Sequence, residues 1–569
     1  MVDREVSDNG RMRLEVKFCL IALFVLTLVA PLRMAATDWY VRADGGSRFS
    51  SKTGKGQCDG KGDAAYPGRG VNQHCAFGDY RYLYDDRQSY GVLAWVISSG
   101  DTVIIDNAKP WRVGFDQGVS ANDAWCDGGP GPYGCTNPRI PPGTAAQHTR
   151  ILGRHYKDCQ ANGAKSELFG GFGLGVVFNL AGAQYVDVEC LEITRHSQCM
   201  VHGSPTYPTG CHTNFPLDDY DSEGVMTDGG THDLLLQDVW IHGHTDRGIQ
   251  GPIGGLVIAK RVTISYNGSA GWDFDDGRST PSNNGLWYLE DSVIEWNGCN
   301  QEYPARHEHP AIACYDQQSG GYGDGVGTPA HTGFEVHIKH SVFRFNTQDG
   351  LDLGHIDTGA KLLSIENSIA YGNEGGQFKW GGNFSQVLFQ NNVAIANCMR
   401  MSQPISGTPS TFNANLHDFC RANDAISLNL REGGKTTMRH NTIITYAPTT
   451  VDVGCWSDNC LNSTLVFSDN VIRGYDDPGT YNRGGQPGGP GGFYYEKPIG
   501  HLAFSNNIIF GTRNGCSTSN AQHQCVDPKF ANEPTAFHQE SDLDNYNFHL
   551  TPSDHPITVG VDPQMIPAY

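Results

Sequence analysis

Short stretches in which apolar and polar residues alternate recur along most of the chain. Most are followed by Asn, Asp or Ser and then by a second apolar pair, as in Ile338-Lys-His-Ser-Val-Phe and Phe467-Ser-Asp-Asn-Val-Ile. Alternation with a period of two predicts strands, and the Gly- and Asn-rich junctions predict tight turns. The same core recurs at Leu236, Ala259, Tyr288, Ile365, Phe389, Met438 and Phe504.

The spacing of these cores predicts the architecture. Most aligned positions recur at similar intervals, such as that from Ile338 to Ile365, and a few intervals, such as that from Phe389 to Met438, are about twice as long. A repeat of this length predicts a solenoid, and a coil made of strands and turns is a right-handed parallel β-helix, an all-β fold. The doubled intervals suggest a further turn whose strand signal is hidden by a long loop. The Asn residues of successive coils should stack as a ladder that satisfies backbone groups.

Four segments are expected along the chain. Residues 1–36 predict a secretory signal peptide, because basic residues precede the apolar run Phe18–Ala30 and two alanines follow it. Residues 37–150 form an N-terminal cap and the first coil with its loops, 151–525 the β-helix, and 526–569 a tail that closes the coil. The apolar run is short for a membrane span, so we expect an exported protein, extracellular or periplasmic.

Two short elements are predicted within the N-terminal segment. Tyr90-Gly-Val-Leu-Ala-Trp-Val-Ile has the pattern of a short amphipathic helix. The strand in Ser99-Gly-Asp-Thr-Val-Ile-Ile follows it and is expected to start the coil. A cap is needed at this point, since the first coil would otherwise expose an unpaired strand edge.

The cysteines support export. Without Cys19, which lies in the apolar run, 16 of the 17 cysteines remain, an even number that favours disulfides in an exported chain. Proximity in sequence suggests the pairs Cys126–Cys135, Cys299–Cys314, Cys455–Cys460 and Cys516–Cys525. Thiolate zinc sites are the alternative, but no Cys-x-x-Cys pair occurs.

The net charge of −21 argues against nucleic acid and anionic membrane surfaces as partners. An acidic polysaccharide remains compatible if calcium neutralises clustered carboxylates and bridges to the ligand. We expect a monomer.

Candidate chemistry lies in one column of the repeat. Asp352 and Lys379 are separated by the same interval as Ser341 and Ser368, which occupy equivalent places in the two copies of the repeat that contain them. Stacked strands lie about 4.8 Å apart, so the acid and the amine should be neighbours. Gln250 and Asp273 follow a Gly-plus-apolar pair in the same way and belong to this column.

Three acids could converge beside the amine. Asp349 precedes Asp352 in the turn, and Asp324 lies about one coil before Asp349. With Gln348 as a neutral ligand, this set is suited to calcium, which accepts carboxylate and amide oxygens. The alternative is that these Asp-Gly pairs only stabilise turns.

The segment Asn346-Thr-Gln-Asp-Gly-Leu-Asp-Leu, followed one coil later by Gln377-Phe-Lys-Trp-Gly-Gly, resembles the pectate lyases of polysaccharide lyase family 9. That family is a parallel β-helix with calcium held by aspartates and a lysine base. The resemblance assigns Asp349 and Asp352 to two of its aspartates, Lys379 to the base, and Asp324 to an earlier aspartate. Gln348 replaces an aspartate of the family pattern, which removes one charge.

The resemblance implies calcium-assisted β-elimination from a uronic-acid polymer. Lys379 would remove the C5 proton, while Trp380, Arg400 and Asp273 are candidates for binding the substrate. Other rings that could stack on sugars are Tyr303, Tyr315, Tyr322 and Trp287.

Two other functions stay open. The acids of Trp272-Asp-Phe-Asp-Asp276 could instead serve a β-helix glycoside hydrolase, although the Arg-Ile-Lys motif of polygalacturonases is absent. A non-catalytic surface or carbohydrate-binding β-helix is also possible, because the fold does not determine function.

Overall fold

The computed structural model describes 22 stretches of the chain between residues 36 and 550. They are 36–85, 94–113, 137–171, 174–197, 221–274, 285–299, 301, 303, 323–328, 333, 335–356, 361–382, 384–396, 419–420, 424–445, 449–455, 460–474, 481–482, 492–495, 498–512, 523–532 and 547–550. The strands belong to one compact unit that begins at Asp38.

Three long sheets, each with parallel strands only, form a right-handed parallel β-helix, as the repeat predicts. Sheet 1 has 13 strands among the described residues. They are Asp38–Gly46, Thr102–Ile105, Thr149–Gly153, Gln184–Glu189, His232–Gln237, Leu256–Lys260, Leu286–Glu290, Glu335–Lys339, Leu362–Glu366, Gln386–Gln390, Lys435–Arg439, Cys460–Ser468 and Ile499–Ser505.

Sheet 2 follows sheet 1 in nearly every coil. Its strands are Trp111–Arg112, Ser166–Gly170, Leu191–Arg195, Trp240–His242, Thr263–Ser265, Val293–Glu295, Val342–Arg344, Ile369–Tyr371, Val393–Ala396, Thr442–Thr445, Val471–Gly474, Asn507–Phe510 and His523–Gln524.

Sheet 3 carries the predicted site. Its strands are Leu174–Asn179, Asp221–Met226, Ile249–Gln250, Trp272–Asp273, Val326–Gly327, Leu351–Leu353, Phe378–Trp380, Asp424–Leu430, Thr449–Cys455 and Gly492–Tyr495.

The remaining described elements are short. They are a 3-10 helix at Tyr80–Leu83, an α-helix at Cys159–Asn162, and the strand pairs Tyr84–Asp85 with Ala94–Trp95, Phe419–Cys420 with Tyr481–Asn482, and Phe530–Asn532 with Asn547–Leu550.

Alternate side chains of the strands fill the interior of the coil. Leu351, Leu353, Phe378 and Trp380 are fully buried in one continuous apolar cluster. Because side chains alternate in a strand, the residues between them point to the outer face of sheet 3. Burying a large apolar side chain contributes about 1.5–3 kcal/mol to the free energy of folding. The buried residues of each strand therefore determine which residues point outward.

A two-residue turn joins sheet 1 to sheet 2. Its first residue has a left-handed backbone in successive coils, at Asp291, His340, Asn367 and Asn391 among others. Asn, Asp and His are the non-glycine residues that adopt this conformation most readily, which explains the polar residue after each predicted strand.

The second residue of this turn forms the predicted Asn ladder, which the structure confirms. Asn441 Oδ1 accepts from the backbone N–H of Asn392 at 2.9 Å, and Asn441 Nδ2 donates to Asn470 Oδ1 at 2.9 Å. Asn441 is fully buried, so each bond satisfies a group that water cannot reach.

A second ladder, which the sequence analysis missed, runs beside sheet 3. Asn267, Asn297, Asn346 and Asn373 pass side-chain hydrogen bonds of 2.9–3.0 Å from coil to coil.

The interpretation of the doubled intervals as two turns is wrong. Leu289 pairs directly with Ile338, and Phe389 pairs directly with Met438. Each interval is therefore one coil with a long insertion. These insertions, near 300–322 and 397–423, leave after a sheet 2 strand and return before a sheet 3 strand.

The start of the coil also differs from the prediction. Asp38–Gly46 lies at the edge of sheet 1 and pairs with Thr102–Ile105, so the strand ladder begins one strand earlier than expected. Of the predicted helix, the described residues Ala94–Trp95 form a strand paired with Tyr84–Asp85. Trp95 packs edge-on against Tyr84 at 5.0 Å, and this packing overrides the helical pattern.

Disulfides tie the loops to the coils. Cys455–Cys460 is confirmed, and Cys58–Cys75 and Cys159–Cys190 are further bridges. Cys299 and Cys525 are disulfide-bonded as well, but their predicted partners lie outside the described residues, as do Cys126 and Cys135.

The described part of the chain contains no helix long and apolar enough to cross a membrane. The signal peptide predicted for residues 1–36 falls almost entirely outside the described residues and stays a prediction.

The ladder should be worth measurable stability. Asn441→Ala leaves the buried carbonyl of Phe389 and the N–H of Asn392 without their side-chain partner, at a cost of about 2–4 kcal/mol. Thr437→Ala, on the outer face of the same coil, is the control and should cost less than about 1 kcal/mol. Thermal unfolding compares the two, and equal losses would show that the ladder adds nothing.

Candidate functional site

The outer face of sheet 3 carries the predicted column. Gln250 pairs with Asp273, Asp273 pairs with Gly327, and Asp352 pairs with Lys379. The acid and the amine are therefore neighbours in adjacent coils, and Lys379 Nζ lies 2.6 Å from Asp352 Oδ2.

Two further acids meet at the same place, as the spacing predicts. Lys379 Nζ lies 3.0 Å from Asp349 Oδ2, and the backbone N–H of Asp349 donates to Asp324 Oδ1 at 3.0 Å. Three successive coils thus bring Asp324, Asp349, Asp352 and Lys379 together. We call these four residues the acid–lysine cluster.

Backbone donors fix the carboxylates. The N–H of Gly376 donates to Asp349 Oδ1 at 2.6 Å, and the N–H of Gly354 donates to Asp352 Oδ1 at 2.6 Å. Each carboxylate therefore has one oxygen held by the backbone and the other turned toward the amine. Charge-assisted hydrogen bonds of this kind are the strong ones, so the orientation is rigid.

The acids are buried, and the lysine is only partly buried. Asp324, Asp349 and Asp352 are 3–5% exposed, whereas the side chain of Lys379 is 33% exposed. Of the four side chains, that of Lys379 is thus the most accessible to a large ligand on the outer face.

Burial raises the pKa of Asp324 well above its usual value, and the charges of Asp349 and Asp352 raise it further. Burial also raises the pKa of Asp352, although Lys379 opposes this. For Lys379, burial alone would lower the pKa, but the charges of Asp349 and Asp352 outweigh burial and raise it above that of a free lysine. The raised pKa values of Asp324 and Asp352 mean that the cluster resists full ionisation, because its three carboxyl groups face a single ammonium.

The donor set fits a calcium ion. When all three acids are ionised against one ammonium, the formal charge is about −2, and carboxylate oxygens are the ligands calcium prefers. The buried Oε1 atom of Gln348, beside Asp349, has no hydrogen-bond partner among the described residues. A divalent cation would compensate the charge and offer a partner for an oxygen of this kind.

The remaining predicted site residues have different outcomes. Trp380 is fully buried and packs against Phe389, so its predicted role in stacking on a sugar is wrong. Trp287 is also fully buried.

Asp273 lies in the column, two strands from Asp352, and accepts from Arg247 Nε at 2.6 Å. Arg400, Tyr315 and Tyr322 lie outside the described residues. Tyr303 stacks on His196 at 3.9 Å.

A second cluster of ionisable residues on the outer face of sheet 3 was missed by the sequence analysis. Arg247 Nη1 donates to Asp246 Oδ2 at 2.9 Å and lies 4.0 Å from Glu223 Oε1, while Gln250, with its amide turned to donate, lies 2.7 Å from Glu223 Oε2. Burial, followed by the charge of Asp246, raises the pKa of Glu223 to about 8. The spacing in the sequence could have identified Arg247. It lies three residues before the column residue Gln250, just as Asp349 lies three residues before Asp352.

Glu290, Asp291 and His340 form another group of possible metal ligands, on the turn between sheets 1 and 2. Their side chains are about two-fifths exposed, and Lys260 already pairs with Glu290 at 3.0 Å. Surface ion pairs of this kind contribute little, and the acid–lysine cluster is the better candidate.

No protein-family model matches the chain, and no curated protein matches it. Among solved structures, it is similar to pectate lyase Pel9A at 12% identity, over 94% of both chains and with a TM-score of 0.40. An alginate lyase from Paenibacillus sp. str. FPU-7 matches at 13% identity, over 72% of this chain and 92% of that one, with a TM-score of 0.32. A rhamnogalacturonan lyase matches at 10% identity, over 87% and 91%, with a TM-score of 0.36.

The pKa of Glu223 gives a pH test. Its value is raised from 4.5 in a free side chain to about 8, so above pH 4.5 the unfolded chain ionises while the folded chain keeps its proton. Stability is therefore lost as the pH rises from 4.5 to about 8.

Glu223→Gln cannot ionise and should lose less stability over this interval, by on the order of 3 kcal/mol. Thermal unfolding of both proteins at several pH values measures the difference. Parallel curves would mean that Glu223 is already ionised in the folded protein.

Proposed function

We propose that this protein is an exported polysaccharide lyase that cleaves a uronic-acid polymer, pectate-like in chemistry, by β-elimination with Lys379 as the base. The observation that carries the proposal is the position of the Lys379 amine on the outer face of sheet 3, 2.6 Å from Asp352 and 3.0 Å from Asp349. The motif resemblance to family 9 pectate lyases assigns the same roles to the same residues.

The reaction needs one base. The Lys379 amine takes the proton from C5 of the uronate, the C5–H electrons form the C4–C5 double bond, and the C4–O bond breaks. The leaving oxygen takes a proton from water. Positioned proton transfer of this kind contributes about 10²–10⁴-fold to the rate.

Asp324, Asp349 and Asp352 are the residues that would hold calcium, with Gln348 as a neutral ligand. When bound, calcium supplies positive charge that compensates these carboxylates and stabilises negative charge developing on the substrate. Lys379 must be neutral to act, and its pKa is raised because the negative charges of Asp349 and Asp352 stabilise the protonated amine. Compensation of these two acids therefore favours the free amine, and the rate should rise toward alkaline pH.

The alternatives have less support. A glycoside hydrolase needs an acid and a base on either side of the bond, and Asp273 is already engaged by Arg247. A non-catalytic scaffold that only binds calcium has no need of an amine beside the carboxylates that hold the ion. Purified protein, calcium and a panel of uronans distinguish these cases, because only elimination yields a conjugated product that absorbs in the ultraviolet. Absence of this product from every uronan would reject the lyase.

The role of Lys379 can be tested by substitution. Lys379→Ala should lose about 10²–10⁴-fold in kcat, and Lys379→Arg should fail as well because a guanidinium stays protonated. Lys260→Ala, which removes a lysine paired with Glu290 on sheet 1, is the control and should keep full activity. If Lys379→Ala keeps more than about a tenth of the activity, another base acts.

Calcium binding is tested by calorimetry. Asp352→Asn keeps the shape of the side chain but removes one charged ligand, so we expect the calcium affinity to fall about tenfold or more. Asp238→Asn, which removes an acid paired with Arg261 on a turn, should bind calcium as the wild type does. Equal affinities of the two variants would remove Asp352 from the site.

A further inference from the structure

The stem of Lys379 is enclosed as well as its amine. Gly354 lies two residues after Asp352, and its backbone N–H donates to Asp352 Oδ1 at 2.6 Å. It is buried and lies in the turn that follows the strand Leu351–Leu353. The stem of Lys379 covers it.

The contact is closer than a side chain would permit. A Cβ atom built on Gly354 would lie 2.9 Å from Lys379 Cε and 2.6 Å from Asp352 Oδ1. Carbon atoms in contact are ordinarily about 3.5–4.0 Å apart. The backbone of Gly354 is not in the left-handed region, so glycine is required here for space and not for conformation.

Glycines near the site are not all constrained in this way. A Cβ on Gly376 would have its nearest neighbour, Asp349 Oδ1, at 3.5 Å, which is ordinary contact. In the next coil, the backbone N–H of Gly381 donates to Leu353 O at 2.8 Å, and a Cβ there would lie 2.4 Å from Gly354 O. The backbones at Gly354 and Gly381 are thus held close together, so Gly354 cannot move away from Lys379.

We propose that Gly354 is a positioning residue for Lys379: the space left by its missing side chain is the slot in which the Lys379 Cε methylene lies. The slot fixes the path of the stem, so that the amine arrives at both Asp349 and Asp352. A methyl group at position 354 would displace the methylene and turn the amine away from the carboxylates. The catalytic consequence rests on the proposed function, whereas the contact itself does not.

A stability cycle tests the contact without any assay of activity. Gly354→Ala is introduced into the wild type, into Lys379→Met and into Lys379→Ala, and each protein is unfolded thermally. Methionine removes the charge but keeps a carbon at the ε position, while alanine removes both the charge and the stem. Asp352 loses its partner in both variants and can turn away in both, so a difference between them reports the stem of residue 379 alone.

We expect Gly354→Ala to lower the Tm in the wild type and in Lys379→Met, and to lower it by less than half as much in Lys379→Ala. Equal losses in all three proteins would overturn the proposal, because the cost would then come from the backbone alone. If Gly354→Ala alone does not fold, recovery of a folded protein in combination with Lys379→Ala, but not with Lys379→Met, supports the slot. Failure to fold in all three backgrounds would overturn it.

Kinetics test the positioning role. Gly354→Ala should lower kcat about tenfold or more and leave KM within about threefold, since misplacement of a base by a fraction of an ångström slows proton transfer. Gly230→Ala is the control and should keep the wild-type kcat, because Gly230 lies away from the cluster, in the turn before the strand His232–Gln237. A kcat of Gly354→Ala within about twofold of the wild type would show that the stem is positioned by other contacts. If the wild type eliminates no uronan, the proposed function fails and the stability cycle still decides the slot.

Discussion

The parallel backbone ladder between successive coils is the constraint on which the rest of the structure depends. It repeats about every 4.8 Å, and it keeps each residue above its equivalent in the next coil. Asp352 and Lys379 meet because their strands are in register, not because any local segment folds around them. The same register brings in the other two acids. Asp349 lies in the turn before the strand of Asp352, and Asp324 lies at the equivalent place one coil earlier. A shift of one residue would turn these side chains into the core.

Charge is the second feature that makes the site distinct. Buried carboxylates are expensive unless they are compensated, and the acid–lysine cluster has three of them against one amine. Both Asn ladders satisfy their buried amides, whereas the acid–lysine cluster places like charges side by side on the outer face. An uncompensated cluster on a rigid scaffold is typical of sites that are completed by a ligand.

Much of this could be read from the sequence because the repeat links residues that are far apart in the chain. The column containing Gln250, Asp273, Asp352 and Lys379 follows from spacing alone. The assignment of Trp380 to the substrate failed although strand alternation predicts the opposite: if Lys379 points outward, its neighbour points inward. Glu223 was missed although register brings it beside Arg247, since Val225 pairs with Ile249 and Met226 with Gln250. Its segment has the Gly-plus-apolar pair, but Met226 takes the column position, so no polar residue marked it. The N-terminal strand was missed because a long irregular segment separates it from its partner, Thr102–Ile105, and hides the repeat.

The long insertions separate sequence distance from spatial distance. Each leaves the coil after sheet 2 and rejoins it at sheet 3 in register, so the number of residues inserted does not change the spacing of the groups on the outer face. Val326–Gly327 follows Asp273 in sheet 3 only after such an insertion, yet the two strands are immediate neighbours. The spacing between neighbouring strands of sheet 3 is therefore independent of the length of the insertions. Loops that connect sheet 2 to sheet 3 can lengthen, shorten or be exchanged while the acids and the amine keep their mutual distances.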